Sequence, residues 1–138
     1  MTREEREAIA ANWRLVAENA LSAANDLAYA GHPRSSVSRS YYAAYAFLAE
    51  ALVVQASVGF QGDREGPEHE PLADLVRDHL RRSFSFTVGK QIRSDIRALY
   101  GFRLQADYRP RAVVRGEMAV AALQKATAIS KNVVRMRG

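Results

Sequence analysis

Apolar residues recur along this chain in steps of three and four, which predicts helices. Ile9, Trp13, Val16, Ala20, Ala24 and Leu27 form one stripe, placing a first helix over residues 3–30. Thr2-Arg3-Glu4-Glu5 ahead of it has the form of a capping box, in which hydroxyl and carboxylate each satisfy an end amide. Gly31 and Pro33 end it.

A second helix is expected from Ser35 or Ser36, either a suitable N-cap. Its stripe is Val37, Tyr41, Tyr45, Leu48 and Leu52, and the pattern fades near Ser57. Residues 59–70 (GFQGDREGPEHE) combine three Gly, one Pro and five charged side chains, which reads as a surface loop. Pro71 suits the first turn of a third helix, with Leu72, Leu75, Val76, His79 and Leu80 on one face and Phe84 and Phe86 closing it. A fourth helix is expected over 88–108, with Ile92, Ile96, Leu99, Tyr100 and Arg103 on one side. Pro110 stops it, because proline has no amide hydrogen to continue the ladder. A fifth is expected over 111–135, turning Val114, Met118, Ala121, Ala122, Ile129 and Val133 inward. No stretch alternates strongly with period two. The expectation is an all-α fold: residues 1–138 as one domain, an antiparallel up-and-down bundle of about five helices.

Composition agrees. The chain has 24 Ala against 8 Gly and 4 Pro, a balance that favours helix. It contains no cysteine. That excludes disulfides, thiolate metal sites and a cysteine nucleophile. His32, His69 and His79 lack the spacing of a helical metal pair, so no metal or other cofactor is expected. Glycine loops of the nucleotide-hydrolase type and the GxSxG elbow are absent from the sequence. No apolar run approaches the roughly 20 residues that span a bilayer. The charged start MTREEREAIA is unlike a secretory signal. The expectation is a cytoplasmic protein without a membrane partner.

Charge changes the picture more. The net charge is +5, and 17 of the 20 cations are Arg. Residues 1–70 hold 6 basic and 10 acidic side chains; residues 71–138 hold 14 basic and 5 acidic. Arginine presents a planar fork suited to phosphates, so an Arg-rich half points toward nucleic acid or nucleotide. A coding preference for Arg over Lys accounts for it equally well.

Two short motifs stand out. Ser38-Arg39-Ser40-Tyr41-Tyr42-Ala43-Ala44-Tyr45 puts three tyrosines and an arginine on the second helix. Tyr41 and Tyr45 fit its apolar stripe, while Arg39 and Tyr42, three apart, share the adjoining face. They can serve as core-edge packing with a solvated cation, or as a ligand surface. The fourth helix ends Arg103-Leu104-Gln105-Ala106-Asp107-Tyr108. Arg103 and Asp107 are four apart and able to pair. A charge pair on an apolar stripe is a weak source of stability, so it marks a specificity device or a site. A partly exposed pair would instead contribute only about 0.3–0.5 kcal/mol.

Taken together and in order, SRSYYAAYAFLAEAL, the loop with Gly66-Pro67-Glu68-His69, and Arg103 through Tyr108 resemble the HEPN superfamily. The closest likeness is its small stand-alone bacterial branch, with RAYYA on one helix and R-x-x-ADY at a later helix end. The resemblance implies a HEPN-like bundle of four long helices and a shorter one, and a homodimer. It also implies a nucleotidyltransferase-like partner in a toxin–antitoxin type system, and binding of RNA or a nucleotide. Arg39, Tyr42, His69, Arg103, Asp107 and Tyr108 are the ligand-binding candidates. Many members of that superfamily are metal-independent ribonucleases with Arg, four to six residues, then His. Here Tyr108, Arg109 and Pro110 occupy the positions where that His would follow Arg103. Arg64 and His69 match the spacing literally, but in a loop with Gly66 and Pro67, which reads as coincidence. The expectation is thus a binding module. The alternative is a ribonuclease with an atypical site, for which Arg103, Asp107 and Tyr108 are the catalytic candidates.

Overall fold

The computed structural model describes residues 2–55, 69 and 72–137. They form five helices: α1 (Arg3–Tyr29), α2 (Pro33–Gln55), α3 (Leu72–His79), α4 (Phe86–Tyr108) and α5 (Gly116–Met136). No strand occurs among the described residues, so the all-α expectation holds.

The chain reverses direction at each main connection. Ser36 meets Ala24 and Trp13 meets Tyr45, so α2 runs antiparallel to α1. Ser38 meets Asp107 and Tyr41 meets Tyr100, so α4 runs antiparallel to α2. Arg34 meets Ala112 just ahead of α5 and Glu50 meets Arg137 at its end, so α5 runs parallel to α2 and antiparallel to α4. The short α3 lies antiparallel on α4, with Asp74 near Arg97. All four other helices pack against α2.

Local chemistry explains the ends. Thr2 Oγ1 accepts from the Glu5 amide at 3.1 Å, and Glu5 Oε2 accepts from the Thr2 amide at 3.0 Å, closing the capping box. At the other end Gly31 has φ +80. Its amide donates to the Ala28 carbonyl and that of His32 to the Leu27 carbonyl, a Schellman turn that needs a residue tolerant of left-handed backbone. Pro33 does not close α1 but opens α2, where a missing amide hydrogen costs nothing. The expected cap at Ser35 or Ser36 is therefore too late. Ser36 is buried inside the helix, and its hydroxyl donates to the Ala24 carbonyl at 2.7 Å.

Three other expectations shift. The buried positions of α1 are Ala10, Ala17, Ala20 and Ala24, while Val16 is 36% exposed. Small side chains let two helix backbones approach closely, so alanine faces α2 although valine is more hydrophobic. Helix α4 starts at Phe86, capped by Ser85 Oγ on the Val88 amide. Phe86 is therefore an exposed first-turn residue rather than a lid on α3, and His79 also faces out. Helix α5 starts at Gly116, not Arg111.

The α2 stripe is correct but too narrow. Every residue from Ser40 to Val53 except Tyr42 is buried, as a helix surrounded by others requires. No described helix is long and apolar enough to cross a membrane.

Candidate functional site

Tyr41 and Tyr45 are one helical turn apart on α2, facing α1, α4 and His69. Their rings begin an aromatic cluster. Tyr41 lies 6.4 Å from Tyr45, 5.8 Å from Tyr100 and 5.6 Å from His69, between ring centroids. Tyr45 stacks against His69 at 4.3 Å and against Tyr42 at 5.7 Å. Trp13 meets Tyr45 edge-on at 5.6 Å. Such offset and edge contacts match the ring quadrupoles and hold the rings in fixed orientations.

Arg103 completes the cluster from α4. Its Cζ stands 5.4 Å from the centroid of Tyr41 and 5.5 Å from that of Tyr108, within cation–π range of both. Nε donates to Asp107 Oδ2 at 3.3 Å and Nη2 to the Tyr108 hydroxyl at 3.2 Å. Ser38, across on α2, donates to the same Asp107 oxygen at 3.1 Å. Nη1 has no acceptor among the described residues. The Arg103 side chain is 23% exposed, so the held guanidinium remains partly open to solvent.

Tyr41 and His69 form the second polar feature. The phenolic oxygen lies 2.6 Å from His69 Nδ1. Burial pushes the Tyr41 phenol above its ordinary value, with the nearby Arg103 charge pulling the other way. The phenol therefore stays protonated near neutral pH. In the tautomer with its proton on Nε2, His69 accepts that phenolic hydrogen at Nδ1.

Of the residues singled out from sequence, Arg103, Asp107, Tyr108 and His69 converge, and Tyr42 borders the stack. Arg39 does not: it is exposed and makes no hydrogen bond or ion pair among the described residues. Arg64, Gly66 and Pro67 lie outside the described residues. Among those residues no group of His, Asp and Glu could hold a metal ion.

Ser38, Tyr41, Tyr45 and Tyr100 belong to the cluster and were not assigned to a site by sequence. Ser38 stands next to the Arg39 motif, but only the α2–α4 packing brings it to Asp107. Two further polar constructions lie apart from the cluster. Arg34 gathers the carbonyls ending α4: Nη1 donates to Gln105, Ala106 and Arg109 at 3.0–3.3 Å, and Nη2 to Pro110 at 3.1 Å and to Ala112. It caps a helix whose own continuation Pro110 prevents. Glu50, buried in α2, receives Arg14 and Arg137. A lone carboxylate in the apolar run Ala46–Val53 was the visible signal for it.

The cluster thus combines an oriented guanidinium, a neutral buried phenol, an imidazole and stacked aromatic faces. Tyr41 and Tyr45 are buried, so the partly exposed Arg103 guanidinium and the exposed Tyr108 ring are the parts of this set suited to phosphate recognition and base stacking. Comparison with protein-family models, curated proteins and solved structures gives no match.

Proposed function

We propose that this chain is a HEPN-like module that binds RNA or a nucleotide at the Arg103 cluster. In this reading it works as a homodimer beside a nucleotidyltransferase-like partner of a toxin–antitoxin type system. The observation that carries the binding role is the posture of Arg103. Its guanidinium is held by Asp107, Tyr108 and the face of Tyr41, while Nη1 has no acceptor among the described residues. A fork oriented in advance loses little entropy on meeting a phosphate. The exposed Tyr108 ring beside it offers a surface for a base.

Binding of labelled single-stranded RNA and of mononucleotides at low salt tests this. Wild type should bind, and Arg103→Gln should lose at least about tenfold. Affinity weaker than about millimolar across the panel at low salt would overturn nucleic-acid recognition.

One observation favours ribonuclease chemistry as a second reading. His69 reaches the same tyrosine that Arg103 covers. Arginine beside a forming phosphorane and histidine as proton donor or acceptor are the groups that metal-independent cleavage needs. Incubation with labelled RNA in chelator decides it. Cleavage abolished by both His69→Ala and Arg103→Ala would support this reading; no cleavage, or cleavage indifferent to either change, would sink it.

A further inference from the structure

A second basic feature lies where α3 ends and α4 begins. A hollow of about 290 Å³ is lined by Leu80, Arg81, Phe84, Phe86 and Arg93, with Arg77 at its rim. Arg81 and Arg93 have no carboxylate partner within ion-pair distance among the described residues. Arg77 is shared between Asp78 at 2.9 Å and Asp74 at 3.5 Å. Arg93 lies across Gly89, its Nη1 3.4 Å from where a Cβ would stand. Phe86 is 81% exposed. An exposed aromatic ring beside guanidinium groups that have no carboxylate partner among the described residues suits a base stacked next to its phosphate.

The position of this hollow gives it meaning. Because α3 runs antiparallel on α4, the seam between them has the hollow at one end and the Arg103 cluster at the other. His69, just before α3, marks the second end. Arg97 stands between, 59% exposed and 3.6 Å from Asp74. With about 1.5 Å of rise per helical residue, Arg93 and Arg103 are separated by about 15 Å along α4. A mononucleotide cannot cover that distance; a strand of a few nucleotides can. Along the seam four arginines (Arg77, Arg81, Arg93, Arg97) face two aspartates (Asp74, Asp78), so the surplus is positive.

We infer that the hollow formed by Arg81, Arg93 and Phe86 is a second nucleotide subsite, and that the α3–α4 seam carries a single nucleic-acid strand from it to Arg103. This rests on the reading of Arg103 as a phosphate-binding residue. It adds the length of the ligand and its path.

Titration of the full chain with an unstructured RNA of about eight nucleotides and, separately, with AMP tests the inference. Wild type should bind the RNA more tightly than AMP. The double variant Arg81→Gln/Arg93→Gln should lose at least about tenfold on the RNA. Its salt slope should become shallower by about 1.4, as expected when two phosphate contacts are removed from a single strand. Its affinity for AMP, which Arg103 alone can hold, should fall much less than its affinity for the RNA. Phe86→Ala should weaken RNA binding several-fold with an unchanged slope. All three positions are exposed or rim residues, so a circular-dichroism melt should match wild type.

If the double variant binds RNA as wild type does while Arg103→Gln is impaired, the seam is refuted and the Arg103 site stands. If the double variant weakens AMP as much as RNA, the hollow is a free-nucleotide site and the strand path is refuted. If wild type binds neither ligand, both readings fall together.

Discussion

Arg137 closes a two-pronged bridge on Glu50: Nε lies 2.7 Å from Oε2 and Nη2 lies 2.6 Å from Oε1. The carboxylate is 3% exposed, five residues before the C-terminal end of the central helix, and Arg137 reaches it from the end of α5. Arg14 adds longer contacts of 3.3 and 3.4 Å from α1. Three helices are thereby tied through one buried charge. The Arg137 guanidinium is held above its ordinary value by its hydrogen bonds to Glu50. Removing one partner of such a pair leaves a buried charge undercompensated. Arg137→Ala should therefore destabilise the fold by about 3 kcal/mol. Arg14→Ala, with longer bonds and a side chain 44% exposed, should cost about 1 kcal/mol or less. Urea midpoints of the two variants check the order. Equal costs would show that the geometry at Arg137 has no special weight.

Two buried serines on α2 make opposite predictions. Ser36 donates to the Ala24 carbonyl across the α1–α2 interface. Ser40 is fully buried, and its hydroxyl has no partner among the described residues. Ser36→Ala should cost about 1 kcal/mol. Ser40→Ala removes an unpaired polar group and should leave stability unchanged or raise it by up to about 1 kcal/mol. Denaturant curves compared at equal slope measure both. A loss at Ser40 as large as that at Ser36 would contradict this account.

The helices were legible in the sequence because their signals are local. The Thr2–Glu5 box, Gly31 and Pro110 act within a turn of where they stand, and the structure uses each of them. The errors came where packing outweighs local preference. Val16 is more hydrophobic than Ala17, but Ala17 faces α2 because it lets the helices approach. Pro33 has the same chemistry at either side of a turn, so sequence could not decide which helix it bounded. The Arg103–Asp107 pair follows from spacing on one helix. His69 follows from no spacing rule; only folding brings it against Tyr41 and Tyr45. Arg34 is equally silent in sequence, because its acceptors are main-chain carbonyls more than seventy residues away.

Tyr41 should impose a pH dependence on stability. Its folded value is raised above the ordinary 10.0, chiefly by burial. Below about pH 10 the phenol is protonated in both states and adds no slope. Above it the unfolded chain gives up the proton while the folded chain retains it. The stabilising contribution is thus complete below about pH 10 and is lost as pH rises toward the folded value. Urea midpoints between about pH 8 and 11 should fall more steeply for wild type than for Tyr41→Phe above pH 10. Parallel curves would mean that the phenol ionises as freely in the fold as in the unfolded chain.

Asp107 supplies the sharpest test of the site. It occupies the last turn of α4, where the helix already ends in partial negative charge, so a carboxylate there is electrostatically misplaced. Arg103 and Ser38 compensate it. The same contact neutralises Arg103 and competes with any incoming phosphate. Asp107→Asn keeps the shape and the acceptor oxygen but removes the charge. It should cost under about 1 kcal/mol of stability, as partly exposed pairs do. It should strengthen AMP and RNA binding several-fold, opposite in sign to Arg103→Gln. Isothermal titration at two salt concentrations reads both affinity and slope. If Asp107→Asn weakens binding as Arg103→Gln does, the carboxylate serves to aim the guanidinium, and its competition with phosphate is negligible.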